Sequence, residues 1–374
     1  MNRLERLRAK LEETRLDGIL VSSPVDDVFH RHSQNREWVS GFTASTGRVA
    51  VTRDRAVIAV DFRYVEQAER ECKPRGFDVL QIRGRETEWL PLLVDAAGLA
   101  GKTVGLSAAD FSLAAAEALK KAVRSLPAPQ RPRLVAAVGV IEDLRKRKEP
   151  GELAAIQRAV DIADQACEAA MDALRAGMTE LQVADVIERE VKARGAEGIS
   201  FQTIVAAGPW AAMPHASPRK EAIHEGDMVV IDMGAIYQGY CSDLTRTAVL
   251  GAADARFREI YEIVHEAQQR AIEGVEPGMP GAAAHALAQD VIARAGYGDH
   301  FGHGLGHGVG LEVHEAPYLG PSSQDVLEEG MVFTIEPGIY LPGWGGVRIE
   351  DVVVLEHGKA RVLSHARKLT PAGV

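Results

Sequence analysis

Four acidic residues fall in two pairs along the second half of this 374-residue chain: Asp232 and Asp243 in MVVIDMGAIYQGYCSDLTRTAVL, and Glu336 and Glu350 in MVFTIEPGIY and GVRIEDVVVL. Between the pairs, FGHGLGHGVGLEVHE supplies His303, His307 and His314. Carboxylates brought together in apolar strands repel one another unless a cation neutralises them or they share a proton. Solvated acids on an open hairpin face are the alternative, and the apolar residues around Asp232 argue against it. Four carboxylates with one imidazole form a donor set suited to Mn²⁺, Co²⁺ or Zn²⁺ rather than copper or a cluster. Two such ions about 3.5–4 Å apart acidify a shared water, so hydrolysis is the chemistry implied.

The elements that must hold these residues form an internal repeat. EGDMVVID at 225–232 matches EGMVFTIE at 329–336, and AGMTELQVADVIEREVKARG matches PGMPGAAAHALAQDVIARAG, with Gly177 and Gly278 ahead of similar helices. Offsets of 101 for the helices and 104 for the strands point to two similar halves, each a helix followed by a β-hairpin. Such a long period fits a duplicated domain better than a solenoid. In the first half, a two-residue loop at Tyr237-Gln238 would make Asp232 and Asp243 directly opposed, with Cβ atoms about 4.5–5.5 Å apart. Glycine at 302, 304, 306, 308 and 310 would line one face of an extended piece and admit another backbone. His303 and His307 would share the other face about 13 Å apart, so at most one of them binds a given ion.

The remainder of the chain sets the context. Residues 1–143 alternate short β-type runs (GILVS, RVAVT, AVIAVD, DVLQI, TVGLS, RLVAAVG) with helical stretches at Glu86 to Leu99 and Ala108 to Val123, which predicts a small α/β domain. Residues 144–374 form the second domain, opening on a helix over Leu153 to Leu174 whose Ile156, Val160, Ala163 and Cys167 recur at helical spacing. A formal charge of -10 argues against nucleic acid and anionic membranes as partners. The three cysteines are too few and too scattered for a disulfide framework or thiolate cage, and a reducing cytoplasm is the expected compartment. No apolar run approaches the roughly 18–20 residues that span a bilayer, and no signal peptide is expected. Nucleotide motifs also fail: AAGLAGKT has Ala96 where a phosphate loop needs glycine.

With these motifs in place, the chain resembles the creatinase/aminopeptidase P/prolidase group of metallopeptidases. The segments that carry the resemblance are IDMGAIYQGYCSDLTRT, GHGLGHGVGLEVHE, TIEPGIY and VRIEDVV, with NREWVSGF a weaker match in the first domain. The resemblance implies an α+β architecture: a C-terminal pita-bread fold with internal pseudo-twofold duplication, preceded by a smaller α/β creatinase-type domain. It makes Asp232, Asp243, His307, Glu336 and Glu350 the ligands of two divalent ions, with Mn²⁺ the first choice. Asp243 and Glu350 would contact both ions, and Glu336 would also accept a proton from the attacking water. By the same resemblance His314 would stabilise the developing oxyanion, His215 and His303 would line the pocket, and Arg348 would be tied to the metal carboxylates.

The implied activity is cleavage of Xaa-Pro bonds, in proline-containing peptides, by a homodimer. Some prolidases carry an arginine after the HExP segment where this chain has Tyr318. That departure tilts the reading to aminopeptidase P, with an Xaa-Pro dipeptidase as the alternative and a non-catalytic peptide-binding module as a remote one.

Overall fold

The computed structural model describes residues 2–22 and 33–369 and divides between Arg145 and Lys146 into two compact units. In the first unit, each of the six β-type runs forms a strand of one sheet, in the order Asp78–Gln81, Ala56–Val60, Arg48–Thr52, Gly18–Val21, Thr103–Ser107, Arg133–Ala137. Gly18–Val21 is antiparallel to Arg48–Thr52 and parallel to Thr103–Ser107, so the sheet is mixed. Trp89, Leu93 and Leu119 from the helices pack on Leu20, Val57 and Val104 of the sheet. The helix expected from Ala108 begins instead at Leu113, because Ser112 accepts the Ala115 N–H and caps it there.

The second unit is built twice over. Helices Pro150–Ala173 and Glu180–Ala193 cover one half through Ile162, Cys167, Val183 and Ile187, packed on Val229 and Ile231. Helices Ala255–Gly274 and Gly281–Arg294 cover the other through Ile260, Val264 and Ala288, packed on Phe333 and Val353. The duplication extends to single hydrogen bonds. Gly177 N–H donates to Ile223 O at 2.9 Å, and Gly278 N–H to Leu327 O at 2.8 Å. Both glycines have a left-handed φ, 86° and 89°, a conformation that strains any residue bearing a Cβ. This is the pita-bread arrangement with its pseudo-twofold duplication, preceded by the α/β unit.

The first of the two hairpins departs from the expected register, and the second keeps its acids opposed. In the first, Met228–Met233 pairs with Leu244–Val249, and Ala235–Tyr237 with Tyr240–Cys241, around a two-residue turn at Gln238-Gly239. Both turn residues have positive φ, 50° and 78°, as a primed hairpin turn requires, and glycine supplies the second without strain. Moving the turn by one residue moves the register by two. Asp232 therefore opposes Thr245, not Asp243. In the second hairpin, Ile335 opposes Asp351 and Gly338 opposes Arg348. The same register carried through the interval sets Glu336 directly opposite Glu350. Among the described residues no helix is long and apolar enough to cross a membrane.

Candidate metal centre

Where each hairpin leaves its ladder, its acids turn inward. Asp232 is the next-to-last residue of the strand Met228–Met233, while Asp243 sits just before Leu244–Val249. Glu336 and Glu350 lie in the gap between the ladders Val332–Ile335/Asp351–Glu356 and Gly338–Leu341/Gly345–Arg348. His307 comes from the short strand Gly306–Gly308, which is bracketed by Glu315–Leu319 and Val332–Ile335. The glycines beside it are required there. A Cβ at Gly306 would collide with the Thr334 carbonyl, and one at Gly308 with the Ala316 carbonyl. The extended piece is shorter than the alternation suggested, since a Cβ at Gly302 would meet nothing.

Three groups of residues place potential ligand atoms within 4.8 Å of one another: Asp243, His307 and His314; His307, Glu336 and Glu350; and Asp232, Asp243 and Glu350. Asp243, Glu350 and His307 each belong to two groups, so the clusters are continuous. His307 Nε2 lies 3.4 Å from Glu336 and 3.6 Å from Asp243. Its Nδ1 is 3.1 Å from the Gly308 carbonyl, which can only accept, so Nδ1 carries the proton and Nε2 offers a lone pair. Burial, then the nearby His314, pushes the His307 pKa down to about 3, keeping the ring neutral.

The acids experience the opposite pressure. Burial, then repulsion from Glu350, Asp232 and Glu336, raises Asp243 well above the carboxylate range, and burial with Glu336 and Asp232 does the same to Glu350. Burial lifts Glu336 to about 8 even though Arg348 pulls it down. One guanidinium cannot balance this much negative charge. Asp232 Oδ1 is buried with no partner among the described residues, an orphan that a cation would satisfy. The donor set therefore fits divalent metal, and its oxygen-rich character favours hard or borderline ions.

Several residues hold this cluster in place. Arg348, 3% exposed, reaches Asp232 Oδ2 at 2.5 Å, Tyr340 OH at 2.8 Å and Thr245 Oγ1 at 3.1 Å. That burial removes the surface ion pair as an explanation for it. Burial opposes its charge, but Tyr340, Asp232 and Glu336 outweigh that and raise its pKa. Thr245 donates to Glu350 at 2.6 Å. Thr334 accepts the His307 N–H at 3.1 Å and donates to Glu336 at 3.2 Å. The sequence reading missed both threonines, although each lies two residues from an acid and hence on its strand face. Tyr340 was also missed. Only the fold brings it to Arg348.

The other expected site residues surround a cavity of about 570 Å³ that also contains the acids. His314 is exposed to it, its ring centroid 4.2 Å from that of His307. His215 lines the same cavity with Phe201, Ile204 and Tyr318. His303 stands away from the acids: Nδ1 meets the Gly304 carbonyl at 2.8 Å and Nε2 meets Tyr340 OH at 3.0 Å. Burial, then Arg348, lowers its pKa to about 4.

Comparison with known proteins agrees in both units. Residues 154–357 match Metallopeptidase family M24, and residues 3–147 match the Creatinase/Prolidase N-terminal domain. The Xaa-Pro dipeptidase of Pyrococcus furiosus is 38% identical over 374 aligned residues, covering 98% of this chain and 99% of that protein. The solved structure of an Xaa-Pro dipeptidase from Bacillus anthracis superposes with a TM-score of 0.89 at 37% identity, covering 98% of both chains. An X-Pro aminopeptidase from Thermotoga maritima gives 0.86 at 32% identity, covering 98% of this chain and 99% of the other.

Proposed function

This chain belongs to metallopeptidase family M24, and from that premise we propose that it is an Xaa-Pro dipeptidase, releasing proline from dipeptides with two divalent ions at the cluster. The observation that carries the hydrolytic reading is the convergence of Asp232, Asp243, His307, Glu336 and Glu350 on one cavity beside His314. The names of full-length relatives from Pyrococcus and Bacillus support the dipeptidase over the aminopeptidase P reading that Tyr318 suggested. The Thermotoga structure keeps an aminopeptidase as the second reading. An intact donor set speaks against a non-catalytic binding module.

Mn²⁺ is the proposed metal, with Co²⁺ or Zn²⁺ as substitutes; when bound, the ions supply Lewis acidity and acidify the attacking water. Asp243, Glu350 and His307 are each shared between groups, but His307 offers only Nε2 while each carboxylate has two donor oxygens, so Asp243 and Glu350 would be the ligands common to both ions. Glu336, held by Thr334, takes the proton from the attacking water and passes it to the leaving proline nitrogen. His314 donates to the oxygen of the scissile carbonyl as charge builds there. His215 and His303 flank the substrate, and Arg348 fixes the orientation of Asp232. Xaa-Pro bonds lack an N–H and have constrained geometry, which calls for a dedicated pocket.

We further propose a homodimer in a reducing cytoplasm, the latter in keeping with three buried free cysteines. The deciding experiment compares Mn²⁺-loaded protein on Ala-Pro and Ala-Pro-Ala. Faster release from Ala-Pro is expected. A preference for the tripeptide would transfer the assignment to aminopeptidase P, and cleavage of neither would remove both.

A further inference from the structure

The second hairpin has a defect in its ladder directly behind the acids. Ile349 N–H donates to Pro337 O at 3.4 Å, so residues 337 and 349 occupy a hydrogen-bonded position of the antiparallel pair. The reciprocal bond would run from residue 337 N–H to Ile349 O. Proline has no N–H to give. A buried backbone carbonyl without its ladder donor is costly, and Gln268 meets that need. Gln268 lies fully buried on the helix Ala255–Gly274, with Nε2 3.2 Å from both Ile349 O and Ile335 O. Those carbonyls belong to the residues immediately before Glu350 and Glu336.

The amide can face only one way. Carbonyls accept, and Lys368 Nζ, 2.8 Å from Gln268 Oε1, only donates. Lys368 also reaches Asp351 Oδ2 at 2.5 Å, and the other oxygen of Asp351 receives Arg246 at 2.8 Å. Arg246 in turn donates to Glu350 O at 2.5 Å. The segment 363–369, which carries Lys368, is bound to both long helices: His365 N–H donates to Asp164 at 2.6 Å and Leu369 N–H to Tyr261 OH at 2.9 Å.

We propose that Gln268, oriented by Lys368, is a positioning residue that sets the backbone from which Glu336 and Glu350 project, so that the C-terminal segment adjusts the metal site from behind. This rests on the metal reading above.

The test uses full-length Gln268→Met, Lys368→Met and Lys368→Arg, with Arg367→Ala as the control. Arg367 bonds Asp172 at 2.5 Å and so tethers the same segment without touching the hairpin. Calorimetric Mn²⁺ binding, the Tm of the metal-free chain, and kcat and KM on Ala-Pro are compared. Gln268→Met and Lys368→Met are expected to weaken Mn²⁺ binding by about 10–100-fold, the range for residues that orient ligands, and to lower kcat more than they change KM. Lys368→Arg should recover most of both, and Arg367→Ala should match the parent. If Gln268→Met does not fold, Lys368→Met carries the test alone, being at the partly exposed end of the network.

Parent-like Mn²⁺ binding in the Met variants would overturn the proposal, as would equal weakening in Arg367→Ala, which would mean general loosening. A parent chain that binds no Mn²⁺ would overturn the metal reading itself, and the proposal with it.

Discussion

The two hairpins around the site are copies of one unit, yet they deliver their acids differently. The first closes in two residues, Gln238 and Gly239, and the second in three, since Leu341 opposes Gly345. Asp232 faces Thr245, and Asp243 is displaced two positions toward the turn, whereas Glu336 faces Glu350 squarely. A threonine thus stands in the first half where the second has an acid, and its hydroxyl donates to that acid, Glu350. One staggered pair and one opposed pair meet around His307, and the resulting groups share Asp243, Glu350 and His307. The duplication supplies the scaffold, and the placement of the second acid, two strand positions nearer the turn in the first half, breaks its symmetry at the chemistry.

The largest expected effect lies on the opposed pair. Glu336→Gln should lower kcat on Ala-Pro by about 10²–10⁴-fold, the worth of a positioned general base. Turnover at the parent rate would assign proton transfer elsewhere.

His314 stands outside both hairpins. His314→Ala should cost about 10²–10³-fold in kcat, as for loss of an oxyanion donor, with calorimetric Mn²⁺ binding close to the parent's. Loss of metal with unchanged kcat at saturating Mn²⁺ would instead make it a ligand.

The charge cluster formed by both pairs predicts a pH dependence. Glu336 moves from 4.5 to about 8 on burial, and Asp243 and Glu350 shift upward too. These acids bind more protons in the folded metal-free chain than in the unfolded one, whereas His307 and His303, lowered from 6.5 to about 3 and about 4, bind fewer below 6.5; above 6.5 the acids act alone, so stability falls as pH rises from there through about 8. Mn²⁺ displaces those protons, and the Tm gained on adding it should therefore grow over the same window. A gain that shrinks with rising pH would contradict the shifts.

The smallest effect separates the two turns. Gly239→Val and Gly343→Val both force a branched residue to positive φ, 78° and 81°, at a cost of about 1–2 kcal/mol each. Both should lower Tm, but Mn²⁺ binding should weaken more in Gly239→Val. Asp243 follows Gly239 closely, while a full paired ladder separates Gly343 from Glu336 and Glu350. Equal weakening would mean that turn register does not control the site.

Much of this was legible in residue order because it rests on local physics. Apolar periodicity and glycine spacing respond to neighbours a few positions away, so the six strands of the first unit, the paired helices and the duplicated halves could be read directly. The acids and His307 could be picked out because charged groups in apolar strands need a partner. Turn placement was harder, because Tyr237-Gln238 and Gln238-Gly239 differ by one position and only the second puts glycine at the left-handed site.

What only the tertiary structure decided is the set of contacts made between distant segments. Tyr340 between His303 and Arg348, Thr245 on Glu350, and Gln268 under Ile335 and Ile349 join residues 8 to 105 positions apart. Each is an ordinary polar side chain until burial removes its water and leaves only these partners in reach. By itself the sequence determined which groups could hold metal and on which strands they ride. The fold determined which atoms meet, because register, burial and the packing of helix on hairpin are properties of the assembled chain.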